Sequence, residues 1–149
     1  LFGNQCIVLA EDVKRNYDMK DGVNPITLED GKECWYEVVI YGGTQRTGMD
    51  AVEWACHAAE LGAGEILLTS METDGVKNGF DLEITSAVSK SCGVPVIASG
   101  GAGELSHFYD GFAKGHADGC LAASVFHYGK FSIKDVKNYL NERGIPVRL

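Results

Sequence analysis

Short apolar runs alternate with segments of helical periodicity along the whole chain. A continuous apolar run of five or six residues predicts a strand that is buried on both faces. Apolar residues at every third or fourth position predict a helix with one buried side. The predicted strands cover residues 6–10, 65–70, 94–98 and 118–123, and the predicted helices cover residues 51–61, 81–91, 104–114 and 133–143. Because strand and helix repeat four times with short connections, we expect a parallel sheet covered by helices.

A β-rich excursion separates the first predicted strand from its helix. It spans residues 16–46, contains two Asp-Gly pairs and one proline, and its longest apolar run ends at Gly42-Gly43. These features predict a β-ribbon or a lid-like loop. The aromatic residues Trp35, Tyr36 and Tyr41 would form either one face of that ribbon or an exposed docking surface. A connection of this length tends to be functional or mobile.

Polar and glycine residues gather where the predicted strands end. The third strand is followed by Ser99 and by the glycine-rich stretch 100–103. The fourth is followed by Ser124, placed either to cap a short helix or to offer its N–H and hydroxyl to a phosphate. Loops after two consecutive strands, with an extra short helix, form the usual phosphate site of a (β/α)8 barrel. A complete barrel takes about 250 residues and eight units, so four units predict a (βα)4 half of a TIM (β/α)8 barrel with parallel strands.

Composition and charge exclude several classes of protein. The 149 residues, which we expect to form one domain over 1–149, carry a net charge of −8 with a pI near 4.9. This balance argues against nucleic acids and membranes as partners, because both attract basic proteins. The five cysteines lack metal-ligand spacing and predict free thiols in a reducing cytoplasm. No apolar run approaches the roughly 20 residues of a membrane span. The beginning does not look like a signal peptide, and its start at Leu1 leads us to expect further residues upstream.

Six stretches of the chain form long and specific motifs. They are residues 61–70, Asp74-Gly75, Gly79-Phe80-Asp81, and residues 97–103, 122–127 and 144–148. Together they resemble the C-terminal half of the cyclase subunit of imidazole glycerol phosphate synthase, over nearly the whole chain except the excursion. The resemblance implies a barrel enzyme of histidine biosynthesis that receives ammonia from a glutaminase subunit. It also implies a lyase reaction, in which ammonia and a phosphoribosyl-formimino aminoimidazole carboxamide ribonucleotide give imidazole glycerol phosphate and the aminoimidazole ribotide.

The same resemblance implies roles for individual residues. Asp12, in a motif Asp-x-Lys-Arg, matches the family's second catalytic aspartate. A positioned carboxyl suits general acid–base chemistry while ammonia adds and the ring closes. Thr69 and Asp74 match further groups at the active face. The residues that match one of the two substrate phosphate sites are Gly75, Ser99, Gly100, Gly101, Ala123 and Ser124. We expect neither a cofactor nor a metal.

Three residues depart from the family's pattern. Glu11 stands where an apolar residue is usual, Val76 where threonine is usual, and Thr73 where a charged residue is usual. Strand alternation places Glu11 toward the helix layer, where an unpaired carboxylate is costly. Nearby, Lys14 would either meet a phosphate or pair with Glu11. The first half of the family's barrel is absent, and with it the other catalytic aspartate and the other phosphate site.

These observations lead to one main functional hypothesis and two alternatives. The main hypothesis is a C-terminal half-barrel that binds phosphate or sulfate around Gly75, Gly101 and Ser124 and is inactive alone. The alternatives are a module that binds a phosphorylated ligand without catalysis, and a fragment of a complete, active cyclase. Because four strands cannot close a barrel, the first and fourth strands should have unpaired edges, and the runs 7–9 and 96–98 should lack cover on the face that points into a complete barrel. Such surfaces drive association, so we expect a homodimer or a higher homo-oligomer.

Overall fold

Seven strands and five α-helices make up the part of the chain that the structure, a computed structural model, describes, residues 3–148. The strands are β1 Val8–Asn16, β2 Ile26–Thr27, β3 Glu33–Ile40, β4 Gln45–Asp50, β5 Glu65–Ser70, β6 Val96–Ser99 and β7 Gly119–Leu121. The helices are α1 Ala51–Glu60, α2 Leu82–Cys92, α3 Leu105–Ala113, α4 Ser124–His127 and α5 Ile133–Asn141, and a 3-10 turn covers Asn4–Cys6. All four predicted strands and all four predicted long helices are present.

The four predicted strands lie side by side and run parallel, in the order β1-β5-β6-β7. Each is followed by a helix, so the sheet forms one half of a (β/α)8 barrel. The predicted fold class, a (βα)4 half-barrel with a β-ribbon after the first strand, is therefore confirmed. Among the helices of residues 3–148, none has the length and apolar character that crossing a membrane requires.

Strand alternation divides the residues of this sheet between two faces. The helix-facing side is closely packed, since Leu68 and Ala98 are each 1% exposed. The opposite face, which would line the inside of a barrel, carries Val8 at 49% exposure and Leu121 at 43%. The expectation that the first run is buried on both faces is wrong, because within residues 3–148 no strand lies across from it.

The runs 7–9 and 96–98, which were expected to lose cover on this open face, differ in how much of it they expose. The run 96–98 turns Val96 into the helix layer, where that side chain is 0% exposed. Only its middle residue, Ile97, faces the open side, where it is half-buried. In the first run, Ile7 is exposed and precedes the strand, which begins only at Val8.

The excursion folds into an antiparallel ribbon that pairs with β1. Strand β3 lies against the second half of β1, with Val39 opposite Asp12 and Trp35 opposite Asn16, and β4 pairs with the other side of β3. The outer edge of β1 is thus covered over residues 12–16, whereas the sequence predicted an open edge. Trp35 and Tyr36 are buried, so they do not form a docking surface, and Tyr41 alone of the three aromatic residues is exposed, at the ribbon tip.

A buried polar network fastens this ribbon to the rest of the half-barrel. The Tyr36 hydroxyl donates to the Asp81 carboxylate at 2.7 Å, and Arg15 donates to the same carboxylate at 3.0 Å. Ser70, the last residue of β5, donates to the second oxygen of Asp81 at 2.7 Å. Burial, and then the charge of Asp81, raise the pKa of the Tyr36 phenol, which therefore remains a hydrogen-bond donor at ordinary pH. The network joins the ribbon, β1, β5 and the start of α2.

Helix α1 begins directly where the ribbon ends. Of the two residues predicted to cap it, Thr47 and Asp50, Asp50 is the cap, since its carboxylate accepts the backbone N–H of Glu53 at 3.1 Å. The same carboxylate accepts two hydrogen bonds from Asn24, at 3.0 and 2.9 Å. One side chain therefore starts the helix and anchors the first part of the excursion.

Candidate active site

A cleft of 140 Å³ opens where β5, β6 and β7 end. Its walls are formed by the turn after β5, the glycine-rich loop after β6 and the loop that leads from β7 into α4. The lining residues are Asp74, Gly75, Lys77, Ser99, Gly100, Gly101, Ala102, Leu121, Ala122, Ala123 and Ser124. This set contains every residue for which the sequence predicted phosphate binding.

Two glycines let the turn after β5 and the loop after β6 pack against each other. A Cβ atom on Gly101, where φ is +100°, would overlap the carbonyl oxygen of Gly79 and lie 2.8 Å from Cβ of Thr73. A Cβ atom on Gly100 would lie 2.8 Å from the carbonyl oxygen of Ser70. The backbone N–H of Gly79 donates to the carbonyl of Gly101 at 2.9 Å. The glycines are therefore needed for the close approach that shapes the cleft.

Thr73 ties the same two loops together. Its hydroxyl lies 3.1 Å from the carbonyl oxygen of Gly100 and 3.3 Å from that of Ser70. Thr73 stands where the resemblance leads one to expect a charged residue, and here its short side chain joins the two loops behind the cleft. Val76, the other departure in this turn, is 52% exposed and does not line the cleft.

The charges around the cleft act in opposite directions on a bound anion. Lys77 lines one side and supplies a positive charge. Asp74 lines the same cleft, next to Gly75, so its carboxylate repels an anion when it is ionised. Lys77 was not predicted from the sequence as a site residue. Its position in a polar turn, two residues after Gly75, was the signal that could have indicated it.

Asp12 lies in one cross-strand row with two other predicted residues. In the register of the sheet, Asp12 is opposite Thr69, Thr69 is opposite Ser99, and Ser99 is opposite Leu121. Because adjacent strands are about 4.8 Å apart, Asp12 and Ser99 are separated by about 10 Å on the same face. Ser99 also lines the cleft, so it connects the row of Asp12 with the predicted phosphate site. Asp74 lies in the turn above this row.

Lys14 does not pair with Glu11, one of its two predicted partners, but contacts the ribbon tip. Its Nζ atom donates to the backbone carbonyl of Gly43 at 2.7 Å, at the ribbon tip. A Cβ atom on Gly43 would lie 3.0 Å from Cε of Met71, the residue after β5. Lys14 shares the face of Asp12, two residues away, and the pairing with Glu11 is excluded because alternation turns that side chain to the opposite face. The ribbon tip thus folds over the strand ends beside Asp12.

Glu11 is buried with no partner, as strand alternation predicted. Its side chain is 2% exposed, and neither carboxylate oxygen accepts a hydrogen bond from the described residues. Burial, and then the charge of Asp50, raise the pKa of Glu11 to about 8. The carboxyl therefore favours its neutral form at pH 7.

Ser124 is not the helix cap that the sequence allowed. Helix α4 starts at Ser124 itself, the capping position is occupied by Ala123, and no side chain caps the helix. Ser124 instead lines the cleft, where its N–H and hydroxyl are available to a ligand. No group of three metal-ligating side chains occurs within residues 3–148.

Among the other clefts of the described chain, two exceed 400 Å³ and lie away from this site. One, of 420 Å³, separates the start of the excursion from α2 and α3 and is lined by Arg15, Asp81 and His107 among others. The second, of 520 Å³, lies beside α1 and is lined by Met49, Trp54 and His57 among others. Neither contains a residue that the sequence predicted for phosphate binding or catalysis.

Comparison with known proteins gives a consistent set of relatives. The family model described as histidine biosynthesis protein matches residues 1–132. The imidazole glycerol phosphate synthase subunit HisF of Methanocorpusculum labreanum is 73% identical over 149 residues, covering 100% of this chain and 56% of that protein. The HisF subunit of Methanoregula boonei is 64% identical over 148 residues (99% of this chain, 55% of the relative). The HisF subunit of Methanosarcina mazei is 56% identical over 151 residues, covering 100% of this chain and 55% of that protein. The chain spans about half the length of the curated relatives it matches.

Proposed function

Because this chain belongs to the histidine biosynthesis protein family, and corresponds to the C-terminal half of a HisF subunit, we propose that it supplies half of the cyclase site of imidazole glycerol phosphate synthase. The observation that carries the proposal is the 140 Å³ cleft, in which loops from three consecutive parallel strands bring all six predicted phosphate-binding residues together. Carboxyl ends of barrel strands are where enzymes of this fold bind their substrates.

The cleft would hold one phosphate of a phosphorylated substrate. Backbone N–H groups at glycine-rich turns bind anions well, because a phosphate oxygen can approach a backbone that has no side chain. Gly75, Gly101 and Ser124 present such groups from three different loops, and Lys77 adds a positive charge. The volume of the cleft suits one phosphate group rather than a whole nucleotide.

Asp12 would act as the general acid or base of the reaction. It faces the open side of the sheet, about 10 Å from Ser99 by strand spacing, so a substrate anchored by its phosphate can extend across Thr69 toward it. Proton transfer by a carboxyl group so placed assists both the addition of ammonia and the closing of the ring. Thr69 would position the middle of the substrate, between the phosphate cleft and Asp12. Asp74 would contact the part of the substrate nearest the phosphate.

We further propose that this half is inactive on its own and acts with partners. The resemblance assigns the second phosphate site and the other catalytic aspartate to the half that this chain lacks. It also assigns the supply of ammonia to a glutaminase subunit, acting in the cytoplasm, where the five free thiols would stay reduced. In the absence of the other half, a second copy of the chain would cover the open face of the sheet.

Phosphate binding tests the first part of the proposal. Inorganic phosphate titrated into the chain should shift the amide resonances of Gly75, Gly101 and Ser124 in a heteronuclear NMR spectrum. Gly101→Ala should abolish these shifts, because the added Cβ closes the approach of Thr73 and Gly79. Gly93→Ala is the matched control: Gly93 also has positive φ, +67°, but a Cβ there meets nothing within 4 Å.

Reconstitution tests the catalytic part. The chain is mixed with the N-terminal half of a HisF relative, and ammonia-dependent turnover of the ribonucleotide is measured. We expect turnover from the mixture, and a loss of at least about 100-fold with Asp12→Asn. Phosphate binding without turnover, in a mixture shown to form a folded complex, would favour the alternative of a binding module without catalysis.

A further inference from the structure

The imidazole ring of His107 closes the glycine-rich loop that follows β6. His107 is the third residue of α3, and its Nδ1 atom accepts hydrogen bonds from the backbone N–H groups of Gly103 at 3.0 Å and Glu104 at 3.2 Å. Because both partners are donors, Nδ1 carries no proton, and the ring proton of the neutral imidazole is on Nε2. The ring therefore does at this helix start what a glutamate or glutamine side chain does in an ordinary capping box.

Gly103 is the point at which the loop meets two other segments around the cleft. Its carbonyl oxygen accepts a hydrogen bond at 2.6 Å from the Nζ atom of Lys130, which follows α4. A Cβ atom on Gly103 would overlap the carbonyl oxygen of Lys77, in the turn after β5. The hydrogen bond to His107 thus fixes a residue on which the turn after β5, the loop after β6 and the segment after α4 converge.

The ring also determines which N–H groups of the loop are left for a ligand. Those of Gly103 and Glu104 are engaged by Nδ1. Gly101 and Ala102, which come just before them, line the 140 Å³ cleft. An anion in the cleft therefore has to use the N–H groups of these two residues from this loop. Donors that are held in place before the ligand arrives bind it more tightly, because less conformational entropy is lost on binding.

We propose that His107 is a positioning residue of the phosphate cleft, whose unprotonated Nδ1 atom holds the loop 100–103 so that Gly101 and Ala102 present their N–H groups to a phosphate. This inference rests on the proposed function, since it takes the cleft to be a phosphate site. His107 acts through Gly103 and does not touch the ligand, because its ring lines the 420 Å³ cleft and not the 140 Å³ cleft.

The ring packs as well as accepting hydrogen bonds, so the two roles have to be separated. A Cβ atom on Gly79 would lie 3.6 Å from Cδ2 of His107, so the ring fills the space beside that glycine. His107→Phe keeps an aromatic ring there but has no acceptor for the two N–H groups. His107→Gln loses the ring but keeps an acceptor, because the side-chain oxygen of a glutamine at this position of a helix reaches the capping N–H.

The test titrates inorganic phosphate into the 149-residue chain and its variants at fixed pH and ionic strength, and measures the dissociation constant by calorimetry. His107→Phe should raise this constant by roughly tenfold or more, whereas His107→Gln should stay within about threefold of the native chain. Ser89→Ala is the control for a general loss of stability. It removes a hydrogen bond of 2.7 Å to the carbonyl of His116, in the link before β7, and should leave phosphate binding unchanged.

The native chain also allows a direct measurement that needs no variant. Long-range proton–nitrogen NMR spectra of His107 should show an unprotonated Nδ1 and a protonated Nε2, so the proposal stays testable if a variant folds poorly. A native chain that does not bind phosphate would overturn the proposed function and this inference together. Binding by the native chain that His107→Phe retains, or that His107→Gln loses equally, would overturn the inference alone, as would a protonated Nδ1.

Discussion

The ammonium group of Lys14 donates a hydrogen bond to the backbone carbonyl oxygen of Gly43 at 2.7 Å, and this contact holds the ribbon tip over the strand ends beside Asp12. The tip itself is a strained turn: Tyr41, Gly42 and Gly43 all have positive φ, at 52°, 63° and 81°. Such a conformation costs free energy at a residue with a side chain. The tip therefore depends on contacts such as that of Lys14 to stay in place.

We expect Lys14→Met to loosen the ribbon tip without unfolding the protein. The methionine keeps the apolar stem that packs at Gly43 but has no donor for the carbonyl oxygen. Backbone amides of residues 41–44 should exchange with deuterium faster, by roughly fivefold for a net loss of about 1 kcal/mol. Lys20→Met, at an exposed position, is the control and should leave exchange at the tip as it is. Equal exchange in both variants would show that the tip is held by other contacts.

The buried carboxyl of Glu11 makes the stability of the fold depend on pH. Its pKa is raised from 4.5 to about 8 in the folded protein, so between these values the folded state binds more protons than the unfolded state. Stability from this group is therefore fully present below pH 4.5 and declines as the pH rises toward 8. The total decline is on the order of 4 kcal/mol.

Chemical unfolding between pH 5 and pH 9 checks this dependence. The free energy of unfolding should fall with pH in the native chain, and Glu11→Gln should flatten most of that fall. Glu33→Gln removes an exposed carboxyl at the start of β3 and should leave the slope unchanged. A slope that is the same in the native chain and in Glu11→Gln would mean that Glu11 gains a partner or water that lowers its pKa.

Breaking the network at Asp81 should destabilise the ribbon and the barrel together. Asp81→Asn keeps the size of the side chain but removes the charge that Arg15 and Tyr36 face, and uncompensated buried partners cost about 3–5 kcal/mol. Urea unfolding should show the free energy of unfolding reduced by this amount, and Tyr36→Phe should reduce it by less, about 1 kcal/mol. Lys32→Met, which breaks an exposed ion pair with Asp30, should have no measurable effect. If Asp81→Asn matches that control, the network does not hold the ribbon.

Local patterns in the sequence predict much of this fold, because the strands, turns and helices themselves depend mainly on residues that are close in the chain. The alternation along β1 follows from the pleat of a strand, so it correctly placed Glu11 among the helices and Asp12 on the opposite face. The glycines at 100 and 101 were read correctly as a turn after a strand. The same alternation turns Val96 and Ala98 toward the helices and leaves Ile97 on the open face.

Contacts between distant parts of the chain are not readable in this way. Tyr36 and Asp81 are 45 residues apart, and their hydrogen bond depends on how the ribbon lies over β1 and β5. The sequence predicts a ribbon, but nothing in its local pattern specifies that it covers the outer edge of β1. Lys77 escaped notice because a lysine in a polar turn is usual on any protein surface.

We expect the isolated chain to have no appreciable cyclase activity. It contains one cleft proposed to bind phosphate and one aspartate proposed to transfer protons, whereas the resemblance implies two of each. Purified chain is assayed with the ribonucleotide and excess ammonia, and product formation should not exceed that of an Asp12→Asn variant. Turnover that this substitution abolishes would show instead that the chain, or an assembly of its copies, has a complete site.

Two strand edges and one sheet face of the described chain should drive it to form a homodimer. Strand β7 pairs only with β6, and β1 pairs with the ribbon only from Asp12 onward, so the backbone of residues 8–11 is free on that side. Beside this free stretch, Val8 exposes 49% of its surface. Exposed edges and an apolar face favour association.

A two-fold axis would let each copy satisfy both edges of the other. The short free edge of β1 in one copy would pair with β7 of its partner, and the two open faces would enclose one core of eight parallel strands. Sedimentation velocity at micromolar concentration should therefore show a dimer. Val8→Glu places a charge in that core and should produce a monomer, whereas Leu61→Glu, at a residue 72% exposed at the end of α1, should leave the dimer intact. A native chain that sediments as a folded monomer would mean that the ribbon, by covering half of β1, already protects the edge enough.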